Sequence, residues 1–188
     1  SRIQGIAFRQ IPDSLEFQLV RARLSALEGN ARDAVANFDR KLAEHKFGSE
    51  AAARYGLVVA LLRADDKVRA RREIVVLMGL KANSPMIDAL AAQTLIAVGE
   101  VEKGLATYRE SLRANPSRRA LIYGYADALI AANKAADAIQ FLSGTGDGRP
   151  TEPRIYEFQA RAYAAMGKRL LQHRALAEVY ALRGNLPA

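Results

Sequence analysis

Apolar residues recur every three or four positions through most of the chain, and the stretch from Ser84 to Pro116 shows the pattern most fully. Ser84-Pro85 reads as a helix start: a hydroxyl that caps free N–H groups, then a proline at the first helical position, where its missing N–H costs nothing. Ile87, Leu90, Ala91, Leu95 and Val98 then share one side of a helix that Gly99 stops. A second run over 101–114 carries Leu105, Tyr108 and Leu112 at helical spacing before Asn115-Pro116 closes it. A helix, a tight turn and a second helix cannot bury this apolar stripe alone, so the pattern calls for stacked copies.

Copies are present. The turn-type residues Asp65, Gly99, Asn133 and Gly167 stand 34 positions apart, and Gly29 precedes Asp65 by 36. Five places after the turn come Ala34, Ala70, Gly104 and Ala138, and seven places before it Ala22, Val58, Ala92, Ala126 and Ala160. Small residues are needed there because the two helices of a hairpin touch. Phe38, Tyr108, Leu142 and Leu176, with Ile74 at the same offset, supply bulk between successive hairpins. This small, small, large pattern on a helical period of 34 resembles the tetratricopeptide repeat, although the chain has no Trp and so lacks that family's signature tryptophan. The expected architecture is all-α: a right-handed superhelical solenoid of stacked helical hairpins, with ten or eleven helices around one continuous core. Units are expected near 15–48, 49–82, 84–116, 117–149 and 151–183, with the truncated start of a further unit at 184–188 and a connecting segment at 1–12.

Composition narrows the classes. The chain has 188 residues, no Cys and only short apolar runs such as 57–62, which leaves no disulfide framework, no thiolate metal site and no helix that would span a bilayer. It opens without Met, so it is expected to be an excised piece whose targeting information has been cut away. The 28 basic and 20 acidic residues give a net charge of +8. Arg63, Lys67, Arg69, Arg71 and Arg72 form the best candidate for a phosphate-contacting patch, which makes a nucleic-acid-binding helical repeat the alternative function. These charges straddle a turn with no aromatic residue among them to stack bases, so a solvated face is the expected role.

Other motifs weaken on inspection. Gly144-Thr145-Gly146-Asp147-Gly148 has the glycine density of a phosphate cradle, but a helix precedes it and no Lys-Ser or Lys-Thr follows; a loop left by a helix ending near Leu142 accounts for it. Asp65-Asp66 is expected to bond local backbone at a turn. Tyr123 and Tyr125 cannot face the same way on one helix, so one packs and the other is free to line a groove. Leu170 to Arg183 reads either as the second helix of a fifth pair or as the first of a sixth, with an exposed apolar stripe that a parent domain or a second copy in a dimer would cover.

The two ends carry a more specific signal. Asp13 is expected to cap a helix with Glu16 completing a capping box. The run Asp13-Ser14-Leu15-Glu16-Phe17-Gln18-Leu19-Val20-Arg21-Ala22-Arg23-Leu24 resembles the junction after the catalytic domain in a family of bacterial periplasmic zinc metalloproteases with C-terminal tetratricopeptide repeats, and residues 172–186 resemble that family's closing segment. The resemblance implies a periplasmic parent active in outer-membrane protein assembly and quality control, whose zinc-binding His-Glu-x-x-His helix does the chemistry. The repeat domain would pack on the catalytic domain and contact assembly components or unfolded clients. The two histidines here, His45 and His173, have no second His four residues away, so this chain is expected to be non-enzymatic and to hold no cofactor, zinc belonging to the absent catalytic domain. His173 reads as a packing or polar-network residue. In such a solenoid the first helix of each pair lines the concave side. The family's groove-facing offsets then fall on Arg23, Tyr55, Gln93, Tyr123, Asp127, Arg154 and Arg161, a surface for a peptide or protein partner with Tyr as rigid contact area and Arg for carboxylates or carbonyls.

Overall fold

A computed structural model describes residues 14–145 and 152–184. The described residues form ten helices in five hairpins, with no strand. These are α1 (Leu15–Leu27) with α2 (Ala31–Ala43), α3 (Glu50–Arg63) with α4 (Lys67–Gly79), α5 (Pro85–Ala97) with α6 (Val101–Ala114), α7 (Arg119–Ala131) with α8 (Ala135–Ser143), and α9 (Pro153–Ala165) with α10 (Arg169–Arg183). The expected segment before Pro12, the capping role of Asp13, the glycines at 146 and 148 and the further unit beyond Gly184 lie outside the described residues.

The turns obey the chemistry their residues announce. Gly29, Asp65, Gly99, Asn133 and Gly167 all adopt positive φ, between +56° and +88°. In the last four, the residue after the turn donates to a carbonyl five back, as in Glu100 N–H to Leu95 O at 2.8 Å, while the turn residue itself bonds three back, as in Gly99 N–H to Ile96 O at 3.0 Å. That paired pattern satisfies carbonyls which the helix end would otherwise leave open. Ser84 caps α5 by accepting from the Met86 N–H at 3.2 Å, with Pro85 at the first helical position. At α1 the cap is Ser14, whose hydroxyl accepts from the Phe17 N–H at 3.3 Å. Glu16 therefore falls one position too early for a capping box, and its carboxylate accepts from the Ser84 hydroxyl at 3.2 Å instead. Of the two acids only Asp66 bonds local backbone among the described residues, accepting from the Arg69 N–H at 3.1 Å to cap α4; Asp65 takes the positive φ of the turn and its carboxylate pairs with Lys67 at 3.2 Å.

The small positions are where helices cross. A Cβ on Gly104 would lie 2.7 Å from the Ala92 carbonyl oxygen, and one on Gly56 would lie 2.3 Å from the Phe38 ring. Phe38, Ile74, Tyr108 and Leu142 are all buried between hairpins. The fifth unit departs: Ala175 and Val179 are buried, whereas Leu176 is only half-buried, because α10 ends the described stack and has no following hairpin to receive a large side chain. His173 is exposed on the same helix.

Each odd-numbered helix packs on the next odd-numbered one, from α1 to α3 through to α9, while the even-numbered helices meet at most marginally. The odd helices thus form the tight inner row and the even helices a splayed outer row. The expected apolar stripe on α10 is not there: Leu170 is exposed, but His173 and Arg174 follow it on the same side, and Tyr180 and Leu182 point elsewhere. The stripe lies at the other end, on α1, where Phe17, Val20, Leu24 and Leu27 share one face at 43–57% exposure. Leu19, Ala22 and Ala26 on the opposite face are the ones buried against α3.

Candidate functional site

Four of the seven expected groove residues come together on α7 and α9. Tyr123 stacks on Phe158 with ring centroids 5.7 Å apart, the Arg154 guanidinium lies 5.2 Å over the Tyr123 ring, and that of Arg161 lies 5.4 Å over Phe158. The four side chains therefore pile up as guanidinium, ring, ring, guanidinium. Asp127 holds Arg161 at 2.7 Å. The Tyr123 hydroxyl donates to Glu152, which also accepts from Arg119 at 2.8 Å. Burial and then the bond to this carboxylate push the Tyr123 phenol up to about 12, and the same bond, helped by Arg119, lowers the pKa of Glu152. Tyr125 takes the packing role, set edge-on to Phe141 at 4.9 Å.

The other three are dispersed. Arg23 and Gln93 are exposed on the inner row. Tyr55 is not a lining residue: it is 1% exposed, sunk between α1 and α3, and only its hydroxyl is reached, by the Arg23 guanidinium at 3.4 Å. Its offset repeats that of Tyr123, which stays half-buried. Beneath Gln93 lies the Tyr108 hydroxyl, fully buried and without a hydrogen bond of ordinary geometry. Burial pushes this phenol up to about 12, with the Gln93 side chain opposing the shift. The space above it is kept by Gly124, where a Cβ would lie 2.6 Å from the Tyr108 oxygen.

Sequence reasoning passed over Phe158, Glu152 and Arg119. Phe158 reads as ordinary core by its helical spacing, and it is 6% exposed; its ring face is nonetheless what orders Arg161 and Tyr123. Glu152 precedes Pro153 in a stretch without periodicity, so nothing local ties it to a tyrosine 29 residues earlier.

The basic cluster is not an open patch. Arg63 donates to the Ala26 and Gly29 carbonyls at 2.5 and 3.1 Å, closing the end of α1. Arg69 grips Asp39 at 2.8 Å, Lys67 pairs with Asp65 at 3.2 Å, and Arg71 meets Glu100 at 2.7 Å. Of the five only Arg72 is without such a partner among the described residues, and a lone cation gives nucleic acid little to hold. Among the described residues no helix is long and apolar enough to cross a membrane, and no group of three His, Asp or Glu side chains is placed to hold a metal.

Comparison with known proteins agrees with this geometry. Residues 95–162 match the tetratricopeptide repeat family model, a span running from late α5 to α9. No curated protein sequence matches the chain significantly. Among solved structures, a kinesin-light-chain-like protein of Podosopora anserina with nearly identical TPR-like repeats superposes with a TM-score of 0.70 at 20% identity, covering 93% of this chain and 97% of that one. MamA MSR-1 gives 0.61 at 15% identity over 90% and 96% of the two chains. YrrB, a TPR protein with an unusual peptide-binding site, gives 0.59 at 13% identity over 93% and 88%. In fold, the chain is a tetratricopeptide-repeat solenoid.

Proposed function

We propose that the inner row is a docking surface for a peptide segment of a protein partner, with the α7–α9 stack as its anchor. The observation that carries this reading is the ordered pile of Arg154, Tyr123, Phe158 and Arg161. A guanidinium held over a ring face by cation–π attraction still has N–H donors to offer a carboxylate or backbone carbonyl. Arg161 is met by Asp127, whereas Arg154 has no carboxylate partner among the described residues and is the donor an incoming group would find. Rigid aromatic area beside an oriented arginine is what concentrated binding sites are made of. The peptide-binding site of YrrB, on a related fold, supports the reading.

On this reading the chain is an interaction module with no catalysis and no cofactor of its own. The resemblance at 13–24 and 172–186 extends it: the parent is a periplasmic zinc metalloprotease, zinc sits in a catalytic domain outside this chain, and partners are outer-membrane assembly components or unfolded clients. The α1 stripe of Phe17, Val20, Leu24 and Leu27 would suit the face such a domain covers.

A photoreactive residue at Tyr123 or Arg161, with Arg71 as the outer-row control, tests the surface in an envelope extract. Crosslinks to assembly components or unfolded barrel proteins from the first two positions only are expected. Arg154→Ala and Tyr123→Ala should each weaken a captured peptide about tenfold, or ~1.4 kcal/mol. Crosslinks from Arg71 alone refute the groove, and nucleic acid captured there favours the alternative. Zinc content of the full-length gene product, with protease activity lost on chelation, tests the parent.

A further inference from the structure

The first hairpin is open inside, and its interior is a second cavity remote from the α7–α9 stack. In the second, third and fourth units the residue eight before the turn is apolar and buried: Leu57, Ala91 and Tyr125. In the first unit that position is Arg21, and Gln18 precedes it on the same face. Neither supplies apolar bulk, and α1 leans on α3 more than on α2, with a cavity of about 540 Å³ between them and α2. That size falls within the roughly 300–1,000 Å³ range of ligand pockets.

The lining is segregated. Phe38, Ala52 and Ala53, each nearly fully buried, make an apolar floor, with Phe47 as a wall. Lys41 and Lys46 stand at the mouth, the Lys41 ammonium 5.2 Å above the Phe38 ring. A second depression of about 450 Å³ continues outward past both lysines to Arg40. Glu44 is the acid in this depression; it pairs with Lys46 at 2.7 Å through side chains 43% and 74% exposed, a contact that water screens and an incoming carboxylate can exchange.

We propose that this cleft between α1, α2 and the start of α3 is a second docking site, for an acidic peptide segment that seats one large apolar side chain on Phe38, Ala52 and Ala53. The carboxylates flanking that side chain lie at Lys41 and Lys46, and the chain leaves along the depression towards Arg40. The apolar floor selects for the anchor and the cationic rim for its neighbours, so neither feature alone suffices.

The test uses the whole chain and a fluorescein-labelled peptide with one leucine between aspartates, followed by fluorescence anisotropy. Saturable binding is expected, weakened at least tenfold when the leucine becomes serine or the aspartates become asparagines. Ser25→Leu, on the α1 face that lines the cavity, should raise the melting temperature by filling it and abolish binding. Lys41→Glu, at the rim, should weaken binding at least tenfold without unfolding the chain, which keeps the test valid if the filling variant folds poorly. Arg154→Ala should leave affinity unchanged. Wild-type affinity in Ser25→Leu, loss in Arg154→Ala, no saturable binding at all, or equal displacement by an unrelated oligonucleotide would each overturn the proposal. Because the two surfaces are mutated separately, failure here is distinct from failure of the inner-row reading.

Discussion

Gly104→Ala is the substitution at which helix propensity and packing point in opposite directions. Alanine is favoured over glycine inside a helix by about 1 kcal/mol, so local preference alone would stabilise α6. The structure says otherwise, because the new Cβ would lie 2.7 Å from the Ala92 carbonyl oxygen and 2.5 Å from Ile96 Cγ1. Ile96 is a side chain and can turn away; the Ala92 oxygen belongs to the backbone of α5 and cannot. Restoring ordinary contact requires α5 and α6 to part by about 0.7 Å at their crossing, which loosens packing on both sides of it. Overpacking of this kind costs about 1–3 kcal/mol, which offsets or exceeds the propensity gain and leaves a net loss of up to about 2 kcal/mol. For a chain of this size that lowers the melting temperature by up to about 8 °C. Urea unfolding followed by far-ultraviolet circular dichroism reads the effect, with Gly79→Ala as control, since nothing lies within 4 Å of a Cβ there. Ile96→Ala in the Gly104→Ala background should rescue only part of the loss. A Gly104→Ala protein as stable as the Gly79→Ala control would refute the crossing geometry.

Other consequences can be measured in the same way. Asn133 sits at φ +59°, so Asn133→Gly should be neutral or slightly stabilising and Asn133→Ala should cost about 1 kcal/mol, read by urea midpoint. Tyr108→Phe removes a buried hydroxyl lacking a good partner and should be neutral or stabilising by up to about 1 kcal/mol. Because burial raises the Tyr108 phenol from 10.0 to about 12, the folded state keeps a proton that the unfolded chain has lost; stability should be intact below pH 10 and fall as pH rises towards 12, less steeply in Tyr108→Phe. Glu100 runs the opposite way. Hydrogen bonds from Arg71 and Lys103 hold its pKa at about 2 against 4.5, so its contribution is present above pH 4.5 and lost as pH falls towards 2, and Glu100→Gln should flatten that limb.

The hairpins were legible because their determinants are local. A left-handed turn demands Gly, Asn or Asp, a helix crossing demands a small residue, and both recur at fixed intervals. Where a position depends on a neighbour absent from the pattern, legibility ends. Leu176 carries the repeat's large residue but remains half-buried, because no sixth hairpin follows among the described residues. The exposed apolar stripe belongs to α1 rather than α10 for a similar reason: an amphipathic pattern tells which residues share a face, not whether another element covers it. Of the groove residues, Tyr123 and Tyr55 occupy equivalent offsets, yet one is half-buried in the stack and the other fully buried. Glu152, which anchors Tyr123, lies outside any periodic run, and only three-dimensional proximity reveals it.

The outer-row ion pairs have a mechanical consequence. Asp39 with Arg69, Glu100 with Arg71 and Glu102 with Lys134, at 2.6–2.8 Å, bridge successive hairpins on the side where the backbones of the even helices scarcely meet. Each pair is partly exposed and therefore weakened by salt. The inner seams are held by burial, which salt does not weaken, so the solenoid has one stiff edge and one soft edge. Part of the stiffness of the outer row is therefore electrostatic and falls with added salt, while the packing of each even helix on the next odd helix does not. Small-angle scattering across a salt series would register this as a change in radius of gyration at constant helix content.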